Sequence, residues 1–161
     1  MGWIAERHEH QQTAIKLKEA TSARVASERR ELVEQSQALW KNLLEEICSR
    51  VDEHNQLKIH FPQRQIRKLA ADSFLQLTGT VVEPVPGMWF SAPQQVSLEI
   101  RFNPAACTLE FRIPGKVPAC SLYFERSLSG TIALHSAHQS LPQQEAAKTI
   151  LSSLLDIIDP V

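Results

Sequence analysis

The chain has 161 residues, 43% hydrophobic and 22% charged, enough to bury a core without help from disulfides or metal. Its formal net charge of −1 at pH 7 supplies no global field toward nucleic acid or an anionic membrane. Cys48, Cys107 and Cys120 are odd in number, widely spaced and without a CxxC, so free thiols in a cytoplasmic setting are expected. No stretch approaches the roughly 20 apolar residues that would span a bilayer.

From residue 1 to about 56 there is no proline, and the only glycine is Gly2. Glu, Gln, Ala, Arg and Leu dominate this run, and all favour helix. Its second half carries Leu32, Val33, Leu39, Trp40, Leu43, Leu44, Ile47 and Val51 at steps of three and four, a stripe suited to docking on a core. The first half has only Ile15, Leu17 and Val25 between Thr13 and Arg30, too sparse for a core face. The expected organisation is therefore a projecting helical arm over 1–30 and a single α+β domain over 31–161.

After a break at "EHNQ" the sequence suggests a short strand, "LKIHF", and then a helix over "QRQIRKLAAD" with Ile66, Leu69 and Ala70 inward. "FLQLTGTVV" alternates as a half-buried strand. "VSLEIRF" and "TLEFRI" alternate more cleanly and read as a hairpin over "PAAC". Pairing Asn103 with Thr108 sets Arg101 opposite Glu110 and Glu99 opposite Arg112, whereas a shift of two residues opposes Glu99 and Glu110. "ACSLYFE" follows with Cys120, Leu122 and Phe124 inward, then "TIALH" with Ile132 and Leu134 inward. Last comes an amphipathic helix through Ala147, Ile150, Leu151, Leu154, Leu155 and Ile158, with Ser140 and Gln143 in a capping-box pattern.

The fold expected from this order is α+β: a long N-terminal helix, an antiparallel meander of about five or six strands, and a C-terminal helix on the apolar sheet face. A strongly curved sheet closed by the last helix is the alternative.

No motif commits to a chemistry. His8 and His10 sit two apart on a helix, so they point about 200° apart and one metal cannot take both. If Glu125 pairs with Thr131, His135 lies opposite Ser121 and beside Arg112. That is a polar row on an open sheet face with no oxyanion hole, and His138 follows in a polar loop. The scattered glycines make no phosphate loop, so no enzyme activity, metal or cofactor is expected. Among the cysteines, Cys107 in the "PAAC" turn is the one expected to be reachable, with Cys48 and Cys120 buried.

Two surface candidates remain. Lys58, Arg64, Arg67 and Lys68 form a basic patch, without the exposed aromatics that sheet-based nucleic-acid binders add. Met88, Trp89 and Phe90 lie in "EPVPGMWFSAPQQ", a segment too proline-rich for a central strand. Trp89 and Phe90 are expected first as a plug at the rim of the core; the alternative is a ligand or partner lip with Met88, Trp89 standing outward or at the rim and Phe90 inward. The favoured function is a protein-interaction module that self-associates, or binds another protein, through the N-terminal helix. The alternative is a cup for a small molecule or lipid between sheet and helices, gated by the Trp89–Phe90 loop.

Overall fold

A computed structural model describes residues 2–160 apart from Val85, Phe90 and His138; the side chains of Glu83, Pro84 and Ser91 also lie outside the description. One helix, α1, runs unbroken over Trp3–Leu57. Seven strands follow in a simple meander, β1 (Arg67–Ala71), β2 (Phe74–Pro84), β3 (Ser91–Asn103), β4 (Thr108–Ile113), β5 (Val117–Arg126), β6 (Ile132–Ser136) and β7 (Gln139–Leu141). They lie in that spatial order, each antiparallel to the next. Helix α2 (Gln143–Ile158) ends the chain. The architecture is α+β as expected, with seven strands rather than five or six.

The sheet must curl, and a short stretch of α1 shows why. Trp40 donates its indole N–H to the carbonyl of Asp72, in the turn between β1 and β2, at 2.8 Å. One turn away, Leu39 and Leu43 line a crevice with Ile132 and Leu134 of β6. In a flat sheet β1 and β6 would stand about 24 Å apart, while a helix with its side chains is roughly 10–12 Å across. Both helices therefore occupy the concave face. Leu75, Leu77, Leu98, Ile100 and Leu109 from the sheet meet Leu43, Ile47, Ile150 and Leu154 from the helices, all essentially without solvent contact. Trp40 stacks on Phe102 with centroids 5.7 Å apart, and Phe102 meets Phe124 edge to face at 5.6 Å.

The β3–β4 register agrees with the charge argument: Glu99 opposes Arg112, Arg101 opposes Glu110, and Asn103 opposes Thr108. Glu99 is the hub of the polar face. Arg112 reaches it at 3.0 Å, and Arg101 turns along its own strand to the same carboxylate at 3.4 Å rather than across to Glu110. The β5–β6 register differs from expectation by two residues. Glu125 faces Ala133 and Tyr123 faces His135, because the turn closes on Ser127 N–H donating to Thr131 O at 2.8 Å. A two-residue slip preserves the faces, so Ile132 and Leu134 still point inward.

Three local expectations fail. "LKIHF" is not a strand: α1 continues to Leu57 and a turn follows, with a short 3-10 turn at Pro62–Arg64. "QRQIRKLAAD" is not a helix: its second half is β1, an edge strand with Leu69 exposed on the convex side. Ser140 does not cap α2, because it belongs to β7, and the cap position is held by Pro142 without a side-chain bond.

Beyond Thr78 and Glu99 the chain pairs only within the β2–β3 ribbon, which projects past its neighbours on both sides. Its root is fixed by Gly79, on which Ile158 of α2 packs so closely that a Cβ there would lie 2.7 Å from Ile158 Cδ1.

Candidate interaction surface

The feature that sets this molecule apart from a plain sheet-and-helix domain is the first half of α1. Every residue from Gly2 to Glu31 is exposed, and burial begins at Leu32 and Val33 and becomes complete at Ser36. The reason is compositional. The residues of α1 that bury, Ser36, Trp40, Leu43, Ile47 and Val51, repeat at three and four along one stripe. Before Leu32 that stripe thins to isolated aliphatic residues.

The arm leaves the body at a defined point. Arg29 donates to the carbonyl of Ala105 in the β3–β4 turn, and Glu31 accepts from Arg126 at the end of β5 at 2.7 Å. On the arm itself, Arg24 and Glu28 pair one turn apart at 2.8 Å. That pairing holds the Glu28 carboxyl below its ordinary range. On the arm stand Trp3, Ile4, Ile15, Leu17 and Val25, each more than half exposed.

At the opposite end of the sheet the β2–β3 ribbon carries its own apolar tip. Trp89 is fully exposed, Met88 and Val82 more than half so. Trp89 is thus outward and plugs no core, against the favoured expectation, because it stands on the part of the ribbon that no neighbouring strand covers; Phe90 lies outside the described residues. No Lys or Arg occurs between Lys68 and Arg101, so the ribbon has no cation of its own.

The basic patch is largely spoken for. Lys58 pairs with Asp159, the residue that follows α2, at 2.7 Å, and this hydrogen bond holds the Asp159 carboxyl below its usual range. Lys68 pairs with Asp52 of α1, and Arg64 lies over the Phe61 ring at 5.7 Å. Arg67 stands exposed on β1. Two of the four cations thus tie helices and sheet together.

The histidines and cysteines fall differently from expectation. His135 stands between Tyr123 and Ser140 rather than opposite Ser121, and its buried Nε2 finds no hydrogen-bond partner among the described residues. His138 lies outside the described residues. Among the described residues no three His, Cys, Asp or Glu side chains gather as a metal-holding group.

All three thiols are free. Cys107 is buried, not reachable: its φ of 52° turns it under α1, where Ser36 Oγ lies 3.7 Å from its sulfur. Cys120 is the exposed one. Register puts it on the concave side opposite Phe111, but the cover over β5 stops at Leu122. Cys48 is half-buried, and burial pushes its thiol pKa up.

Among the described residues, no helix is long and apolar enough to cross a membrane. No family model, no curated protein and no solved structure matches the chain.

Proposed function

We propose that this protein is a non-enzymatic interaction module that self-associates through the first half of α1. The observation that carries the reading is the contrast within one continuous helix, fully engaged from Ser36 to Val51 and exposed all round before Leu32. Most helical stability in proteins comes from packing an amphipathic face, and this half of the helix packs none on its own body. Ile4, Ile15 and Val25 give it a sparse apolar seam that a second helix would cover. The three free thiols fit a reducing, cytoplasm-like compartment.

The alternative, a small-molecule or lipid cup gated by the Trp89–Phe90 loop, has less behind it. Leucine and isoleucine side chains from both helices and the sheet fill the space where a cup would lie. Trp89 stands at the end of a ribbon that projects past the neighbouring strands. A protein partner for that tip fits the module reading better than an anionic membrane, because the ribbon lacks cations.

Sedimentation of the full chain over a wide concentration range tests the proposal. A mass rising above the monomer, and returning to it in an Ile15→Asp, Val25→Asp variant, is the expected result. A monomer at the highest concentration refutes it.

A further inference from the structure

One edge of the sheet is open, and α1 marks where the opening starts and stops. Asn55 bonds both backbone groups of Ile66, just before β1, and the Trp40 indole bonds the carbonyl of Asp72, just after it. Between those two caps, the backbone of Arg67–Ala71 bonds only β2 among the described residues, and all five residues are exposed. The result is a slot about 17 Å long at 3.3–3.4 Å per residue, bounded at both ends by side chains of one helix.

The other free edges carry features that discourage pairing. β7 is three residues long and runs into Pro142, and the projecting ribbon has Pro84 in β2 and Pro93 in β3. β1 is regular by comparison. It has no proline and no bulge, its lysine is drawn inward to Asp52, and Arg67 stands at its very start.

Beside this edge lies a groove. Register puts Lys68 and Ala70 on the concave side, with Leu77 and Leu75. Ala70 and Ala71 share with Ala38, Trp40 and Leu44 of α1 the lining of a groove of about 930 Å³. We propose that β1 is a docking edge for an extended segment of another protein. The segment adds as an eighth strand and sets large apolar side chains, at alternate positions, into this groove.

Unpaired main-chain groups in a row recognise an extended peptide rather than a compact ligand. A second copy does not suit the site. Paired β1 to β1, it would bring only Lys68 and Ala70 to the concave side, an engaged cation and a methyl, and leave the groove unfilled. Charge orients the segment. Glu34 and Asp72 outnumber Lys41 in the groove, and Arg67 stands at the other end of the slot. None of these four is ion-paired among the described residues. An antiparallel strand, the commoner pairing, therefore carries a basic residue toward its N-terminal end and an acidic one toward its C-terminal end. This inference goes beyond the self-association reading and makes no use of the arm.

The test selects a displayed library of random peptides on the full-length protein and measures the enriched sequences in solution. Peptides with alternating apolar residues are expected. Methylating their backbone nitrogens one at a time should weaken binding about tenfold or more at every second residue and little in between. That scan leaves the protein unaltered, so it decides even if a protein variant misfolds. Ala70→Glu, at an exposed position, should keep the thermal midpoint and weaken the same peptides by a similar factor. Losses that do not alternate, binding indifferent to Ala70→Glu in a folded protein, or no enriched sequence at all would each overturn the inference. So would a dimer that Ala70→Glu dissolves and the Ile15→Asp, Val25→Asp variant does not, since the edge would then belong to a second copy.

Discussion

Asn55, in the last turn of α1, holds both backbone groups of Ile66. Its side-chain oxygen accepts from the Ile66 N–H at 2.7 Å, and its amide donates to the Ile66 carbonyl at 2.9 Å. The amide thus does for Ile66 what a neighbouring strand would do. It fixes the chain as extended immediately before β1 and aims the Ile66 side chain into the core. Replacing Asn55 with leucine should leave a buried donor and acceptor unmet and cost about 1–3 kcal/mol. Urea unfolding would show it, and a change below about 0.3 kcal/mol would mean that solvent satisfies both groups as well as Asn55 does.

The same clamp explains where the sequence misleads. Ile66, Leu69 and Ala70 have helical spacing, and a helix was the natural expectation over "QRQIRKLAAD". The stretch is instead a strand because Asn55 and β2 supply its hydrogen bonds, information that lies elsewhere in the chain. Where a pattern was self-contained, as in the alternation and paired charges of β3 and β4, the register was legible to the residue. The β5–β6 register was not, since it depends on a five-residue turn closed by Ser127 and Thr131. For the surfaces, adjacency put Trp89 and Phe90 on opposite sides of the chain, but nothing local told a plug at the core rim from the fully exposed Trp89 that is found. The commitment of Lys58 and Lys68 to acids on or next to the helices was not legible either, because those acids are distant in sequence.

Gly79 and Ile158 offer a test of how α2 sets the root of the ribbon. A methyl at Gly79 would lie 2.7 Å from Cδ1 and 2.9 Å from Cγ2 of Ile158, too close for either to stay. Gly79→Ala should destabilise by about 1–3 kcal/mol, the usual range for overpacking. In an Ile158→Ala background the added methyl has room, so the cost should largely vanish. Additive effects of the two substitutions would place the strain somewhere other than this contact.

Thiol reactivity should rank in the order of exposure. Cys120 reacts first, Cys48 more slowly because burial keeps its thiol protonated, and Cys107 last, on the timescale of unfolding. Mass spectrometry of the native protein during brief alkylation would give the order. Early modification of Cys107 would show that the Ser36–Cys107 contact opens readily.

The final prediction separates the two halves of α1. Leu43 and Ile47 are shielded from solvent by the sheet and α2, so truncating either to alanine should cost about 2–5 kcal/mol. Ile15, more than half exposed on the arm, has no core contact to lose within its own chain. Ile15→Ala should therefore leave the thermal midpoint of dilute protein within a degree or so, while weakening association at high concentration. Removing residues 1–28 should act the same way, because the body's contacts to α1 begin with Arg29 and Glu31. The argument turns on concentration: a truncation that lowers the midpoint equally at micromolar and submicromolar protein would mean that the arm braces its own domain. A loss confined to concentrated solutions would mean that a second copy, not the sheet, is what the arm touches.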